Sequence, residues 1–316
     1  MTIRENDIQS ETAYHVPAML EECMEALAIR PGGTYVDATF GGGGHSRAII
    51  ERMDAQGRLY SFDQDMDAYA NRIDDTRFVF VHSNFRYLAN FMRYYGVDSV
   101  DGILADLGVS FHHFDEADRG FSFRADAPLD MRMNQKATLT AASVLNDYSD
   151  DHLKALLKTF GDLRRPAPIV NAILKGRAAA RIETTGQLLA LLEPVVDKRN
   201  QKKELAQVFQ ALRIEVNGEM DALRDFLKAT ERVLVPGGRL AILTYHSLED
   251  RMVKNFMKTG NIEGRVEKDF YGRVLCPWKT VGKQPLSPTP EEIERNPRAR
   301  SARLRVAEYT PLETDD

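Results

Sequence analysis

The sequence predicts an α/β protein built on a doubly wound parallel sheet, with an inserted helical subdomain. Three observations carry this. Apolar strand-like runs alternate with amphipathic helical stretches over roughly the first 110 residues. Four consecutive glycines, Gly41 to Gly44, join the first strand to a helix. Between residues 111 and 216 the alternation stops, no strand-like run occurs, and leucines recur at helical spacing. The predicted division is 1–110 and 217–316 for the sheet domain and 111–216 for the insertion.

Taken in order, Met19, Leu20, Cys23, Met24 and Leu27 make a helix that Pro31-Gly32-Gly33 closes. Tyr35 and Val36 start the first strand, and Ala48, Ile49, Ile50 and Met53 mark the helix after the glycines. Strands two and three are read at Leu59 to Phe62 and Phe78 to His82. Strand four is read in Val100 to Ser110, a continuous apolar run ending in Asp106-Leu107-Gly108. Residues 111–133 mix aromatics, acids and arginines without a period, as a loop lining a site does. Thr138 to Val216 is helical by pattern. The sheet resumes with an amphipathic helix (Met220, Leu223, Phe226, Leu227), a Pro236-Gly237-Gly238 turn and strand five, Arg239 to Tyr245, followed by a helix opening at His246-Ser247. After Gly282 the prolines predict irregular chain, and Ala302 to Tyr309 a last edge strand.

The glycine turn points to a nucleotide-type site, because uncapped helix N–H groups and missing side chains let a ligand approach the main chain. The dinucleotide fingerprint needs a third glycine, but Ser46 or Arg47 stands there; a P-loop needs Gly-Lys-Ser/Thr, but His45-Ser46 stands there. What remains is Asp37 just upstream and Asp63 about 20 residues on, where such sheets place a ribose-gripping carboxylate. S-adenosylmethionine fits this pattern: a free ribose, a cationic aminoacyl arm and no phosphate. Phe85, after strand three, is either an adenine-stacking ring or a core aromatic. Asp106 puts a carboxylate at the carboxyl edge of a buried strand, to be used or paired.

Composition narrows the classes. With 43% hydrophobic residues and a formal charge of -5, the chain reads as globular, and any nucleic-acid contact must rest on local basic patches. Cys23 and Cys276 have neither disulfide-framework nor zinc-site spacing, and no metal site is expected. No segment approaches the ~20 apolar residues of a membrane span, and the charged start does not read as a signal peptide. Nothing signals an oligomeric state.

VDATFGGGGHS, VDGILADLGVS, RGFSF, PLDMRM, FQALRIEVN, TYHSLEDRMVKNFM and NPRARSARLRVAE, in that order between about His15 and Glu308, resemble the RsmH (MraW) family. Its members are S-adenosylmethionine-dependent methyltransferases that modify the exocyclic N4 amine of a cytosine in small-subunit ribosomal RNA. The resemblance implies a class I, Rossmann-like methyltransferase sheet, with an insertion for substrate recognition, in the bacterial cytoplasm. It implies cofactor contacts at Gly43, Gly44, His45, Asp63, Phe85 and Asp106. The family usually reads Ser-Ser-Pro-Gln-Leu-Asp where Ser110 to Asp115 stand, so His113 takes the place of a cofactor-contacting Gln; an imidazole also donates or accepts. Ala125-Asp126-Ala127 and Tyr245 depart from the usual Arg-Asp-Gly and Phe.

The chemistry needs positioning above all, since a sulfonium methyl is already activated. The cytosine amine's lone pair is delocalised, so an acceptor must pull on its N–H while positive charge builds. Asp106 is the candidate catalytic acceptor, contacting cofactor, substrate or both. Phe121, Phe123 and Asp130 are candidate walls for a flipped base. Phosphate contacts fall on Arg164-Arg165, on Lys198, Arg199, Lys202 and Lys203, or on Arg295, Arg298, Arg300, Arg303 and Arg305; each patch is otherwise a solvated face. A methyltransferase for a small molecule or protein, and a non-catalytic ribosome-assembly factor, are the competing functions.

Overall fold

The computed structural model describes residues 17–108 and 119–312. Seven strands form one sheet: β1 (Thr34–Asp37), β2 (Arg58–Asp63), β3 (Phe78–His82), β4 (Val100–Asp106), β5 (Leu234–Thr244), β6 (Trp278–Thr280) and β7 (Arg303–Tyr309). Their order is β3-β2-β1-β4-β5-β7-β6. The first five pair in parallel, while β7 is antiparallel to both β5 and β6. The chain therefore runs outward from β1 to β3 and returns to the other side of β1 with β4. That reversal opens a crevice at the carboxyl ends of β1 and β4, where such sheets hold ligands.

Alternation along each strand feeds two cores. On β4, Leu104 packs with Met24, Leu27 and Ile49 of helices α1 (Leu20–Leu27) and α2 (Gly44–Glu51). Its neighbours Ile103 and Ala105 face the other way, towards Leu88 and Met92 of α3 (Leu88–Tyr94), Phe226 and Leu227 of the later helix Glu219–Val233, and Phe256 of Ser247–Thr259.

Between β4 and β5 the described chain carries α4 (Ala141–Asp147), α5 (Asp150–Thr159), α6 (Ala167–Ala179), α7 (Thr185–Leu192) and α8 (Gln201–Asn217). Their apolar faces close on a third core, from Phe121 to Val216, that shares no residue with the other two. Thr140, Ser149 and Thr184 cap α4, α5 and α7 by accepting the N3 backbone N–H. Gly218, at φ 58°, turns α8 directly into α9 (Glu219–Val233). The 216/217 boundary thus falls inside the last turn of α8, with no linker between insertion and sheet. Helices α10 (Ser247–Thr259) and α11 (Pro290–Arg295) complete the described set.

Three expectations need correction. β5 begins at Leu234 and takes in Pro236-Gly237-Gly238, at the cost of a register shift against β4 between Val100 and Gly102. β7 is no edge strand, because β6 pairs outside it; three residues are too few for period-two alternation to register. The proline-rich stretch after Gly282 holds α11 and a 3-10 turn, Pro297–Ser301. Pro290 stands in the first turn of α11, where its missing N–H costs nothing.

Candidate active site

Between β1 and α2, Gly41 and Gly43 adopt φ 51° and 75°, a region costly for any other residue. A side chain at Gly43 would meet the Phe40 ring and Arg47, and one at Gly44 would meet Pro17 at 2.9 Å. The turn is therefore held against its own flanks while its backbone stays bare. No side chain caps α2, so its first N–H groups are left for a ligand.

Asp37 is the anchor beneath this turn. It is 1% exposed, accepts the Thr39 N–H at 3.0 Å and the Ser46 hydroxyl at 2.7 Å, and Ser46 in turn contacts Ser61 on β2 at 2.8 Å. Burial pushes its carboxyl above the usual value, and the neighbouring His45 and the Ser46 bond oppose that rise only in part.

A cavity opens above the turn, lined by Gly41, Gly42, Gly44, His45, Asp63, Phe85, Asp106 and Tyr245 among others. Asp63, at the end of β2, accepts the Gly41 N–H at 2.9 Å and the Asp65 N–H at 2.8 Å. Phe85 lines the cavity and also meets Phe226 edge-on, at 5.1 Å between centroids. His45 is buried, with Nε2 3.1 Å from the Ala18 carbonyl and Nδ1 3.9 Å from Asp106 Oδ2. Asp106 donates its backbone N–H to Thr39 Oγ1 at 2.6 Å and accepts the Gly108 N–H at 3.3 Å. Of the expected cofactor residues Gly43 alone does not line the cavity, and His113 lies outside the described residues.

A second cavity adjoins the first. Phe121, Phe123, Phe209, Gln210, Arg213, His246 and Arg298 are among its walls, and Leu107, Gly108, Tyr245 and Glu249 line both. Its aromatic side comes from the 119–133 segment, which Arg119 ties to the end of β2 by an ion pair with Asp65 at 2.8 Å. Asn217 fastens the same segment from α8, accepting the Met133 N–H and donating to the Met131 carbonyl, both at 2.8 Å. Asp130 is not a wall: Arg132 grips both its oxygens, at 2.8 and 2.7 Å. The Tyr245 ring lies over Gly108, where a Cβ would come within 2.9 Å of it, which explains the glycine of Asp106-Leu107-Gly108. Burial and the nearby Asp106 carboxylate push the Tyr245 phenol well above its ordinary value.

Glu249, His246, Arg213 and Glu219, near the junction of the two cavities, carry no site role in the sequence analysis. Glu249 is 4% exposed; its Oε2 accepts the N–H groups of Tyr245 at 2.9 Å and His246 at 3.3 Å. Arg213 on α8 holds Glu219, the first residue of α9, by two bonds of 2.8 and 2.9 Å. The available signal was a histidine and a carboxylate three residues apart just past a strand end, in TYHSLED, which also reads as an ordinary helix cap. Ligand atoms of Glu219, His246 and Glu249 lie within 4.8 Å of one another. The Arg213 guanidinium, locked onto Glu219, opposes a second cation there.

Among the basic patches, Arg305 is 7% exposed and paired with Asp250 at 2.8 and 3.0 Å, and Arg303 lies 3.5 Å from the same carboxylate. Arg295 pairs with Glu292 at 3.3 Å. Arg298 and Arg300 are exposed, and Arg298 lines the second cavity. Among the described residues no helix is long and apolar enough to cross a membrane.

The family model described as the MraW methylase family matches residues 12–310. A protein of Parabacteroides distasonis named ribosomal RNA small subunit methyltransferase H is 57% identical over 301 residues, which cover 95% of this chain and 99% of the relative. Its namesake in Phocaeicola vulgatus is 55% identical over 300 residues, with the same coverage. That of Porphyromonas gingivalis is 53% identical over 303 residues, covering 94% of this chain and 97% of the relative.

Proposed function

The chain belongs to the MraW methylase family, and we propose that it transfers a methyl group from S-adenosylmethionine to the exocyclic N4 amine of a cytidine in small-subunit ribosomal RNA. The observation that carries this reading is the pair of cavities that meet at Leu107, Gly108, Tyr245 and Glu249, directly beyond Asp106. One cavity has the bare glycine backbone and the Asp63 carboxylate suited to a nucleoside with an aminoacyl arm, and the other has aromatic walls suited to a base.

When bound, S-adenosylmethionine supplies a methyl already activated by its sulfonium. Asp63 holds the ribose hydroxyls, Phe85 flanks the adenine, and the uncapped start of α2 with Gly44 and His45 receives the aminoacyl carboxylate. The base leaves its stack and enters the second cavity, against the wall that Phe121, Phe123 and Phe209 form. Asp106 accepts one N–H of the amine, which localises the lone pair and offsets the positive charge that builds on nitrogen, and it takes that proton as the new N–C bond replaces the methyl's bond to sulfur. The 111–216 insertion serves substrate recognition, and Arg298 and Arg300 meet phosphates. The site of action is the cytoplasm, on RNA that is either free or within an assembled small subunit.

The test is to incubate the protein and its Asp106→Asn variant with labelled S-adenosylmethionine and either free small-subunit RNA or small subunits, then digest to nucleosides. N4-methylcytidine from the wild type, and a large drop with the variant, are expected. No labelled cytidine from either substrate would overturn the reading.

A further inference from the structure

His246 and Glu249 present an unusual pair of atoms to the junction of the cavities. His246 is the N-cap of α10, and its Nδ1 receives the Glu249 N–H at 3.5 Å, so the ring proton belongs on Nε2. That Nε2 is buried, lies 3.0 Å from Glu249 Oε1, and yet makes no hydrogen bond, because the geometry does not aim one at the other. Glu249 Oε2 is fully engaged by two backbone N–H groups, whereas Oε1 has only this misaligned neighbour. A buried donor with no hydrogen bond and a carboxylate oxygen 3.0 Å from it thus stand side by side in the wall of the second cavity, and a buried donor costs stability unless a partner completes it.

We infer that the His246 Nε2–H and Glu249 Oε1 together read the edge of the target base, the histidine donating to ring N3 and the carboxylate accepting an N4–H. This rests on the methyltransferase reading above and deepens it. Cytosine carries a donor at N4 beside an acceptor at N3, the complement of this pair. Uracil carries an acceptor at position 4 and a donor at N3, so both contacts turn repulsive and the base is rejected. The amine has two N–H bonds, and with Asp106 taking one, Glu249 takes the other. Misaligned contacts that tighten only when substrate enters are common in such sites. Phe121 and Phe123 of the second cavity supply the stacking surface, while His246 and Glu249 supply the identity check.

The experiment is a cycle between protein and substrate, run on whichever RNA form the wild type methylates, with cytidine or 3-deazacytidine at the target position. 3-Deazacytidine keeps the amine and replaces ring N3 with C–H. His246→Asn keeps an N-capping oxygen for the Glu249 N–H but is too short to place a donor where Nε2 stands. The wild type should lose about 10- to 100-fold in kcat/KM on the analogue. His246→Asn should lose a similar factor on cytidine and little more on the analogue, with melting temperature and cofactor affinity unchanged. Losses that multiply, or a His246→Asn enzyme with wild-type kcat/KM, would overturn the inference. Glu249→Gln, which keeps the capping oxygen and puts an N–H donor at the junction, should lower turnover on cytidine; undiminished turnover counts against it. A wild type that methylates no cytidine removes the underlying function and this inference with it, an outcome distinct from a normal wild type with insensitive variants.

Discussion

The Asp63 carboxylate accepts the Gly41 backbone N–H at 2.9 Å, joining the end of β2 to the glycine turn after β1 across 22 residues of sequence. A carboxylate accepts about four hydrogen bonds, so a ribose hydroxyl can share Asp63 with the backbone. Asp63→Ala should therefore weaken S-adenosylhomocysteine binding by roughly 1.5–3 kcal/mol, that of a charge-assisted bond, with some loss of order in the turn. Calorimetry measures it, and NAD in parallel should give no heat. Unchanged affinity in the variant would remove Asp63 from the ribose.

Asp37 should make stability depend on pH in the direction opposite to a surface acid. Burial raises its folded pKa, so as pH climbs past the unfolded value of about 3.9 the unfolded chain ionises first. Stability is lost between that value and the raised folded one. Asp37→Asn keeps an acceptor for Thr39 and a group for Ser46 but cannot ionise. Its melting temperature relative to wild type should rise as pH increases through this window. A difference constant with pH would contradict the placement.

The sheet and the first cavity were legible because they rest on local signals: β-branched runs, four glycines and single acids at strand ends. Asp63, Phe85, Asp106 and His45 all line one cavity, as their positions at strand and turn ends imply. Of the second cavity, Phe121, Phe123 and Arg298 were legible and the rest was not. Glu249 and His246 resemble a helix cap in sequence, and they acquire meaning only where Arg213 and Phe209 of α8 arrive beside them. Arg305 was misread for a related reason. Its partner Asp250 lies 55 residues away, on a helix whose register against β7 no local pattern fixes.

That Arg305–Asp250 pair supplies a stability test. Burial alone would raise the Asp250 pKa, but the hydrogen-bonded Arg305 and the charges of Arg303 and Lys254 outweigh it and hold the carboxyl below its usual value. A lowered acid contributes stability above the unfolded pKa and loses it as pH falls through the folded one. Asp250→Asn should destabilise the protein near pH 7 by up to about 3–5 kcal/mol, the cost of breaking a buried pair. The gap between variant and wild type should narrow as pH falls through the lowered folded value of Asp250. Thermal melts from neutral into acid pH measure it, and a gap that does not change with pH would argue against the ion pair.

The same pair divides the arginines near β7 into two kinds. Arg305 is buried on Asp250, so its charge is spent within the protein, whereas Arg303 is exposed and lies 3.5 Å from the same carboxylate. Arg298 and Arg300 lie on the 3-10 turn before β7 and are exposed, and Arg298 lines the second cavity. If these two meet RNA phosphates, replacing both by Gln should weaken RNA binding, leave cofactor affinity intact and flatten the salt dependence. Each lost contact removes about 0.9 of a log-log unit on duplex and about 0.7 on single strands, so the slope should fall by roughly 1.4 to 1.8. Arg305→Gln should do the reverse, lowering the melting temperature while leaving the slope of the folded fraction alone. RNA titrations at several salt concentrations, run beside melting curves for both variants, separate these outcomes. An unchanged slope in the Arg298/Arg300 variant would move the phosphate contacts to the Arg164-Arg165 or Lys198 to Lys203 patches of the insertion, without touching the methyl-transfer site.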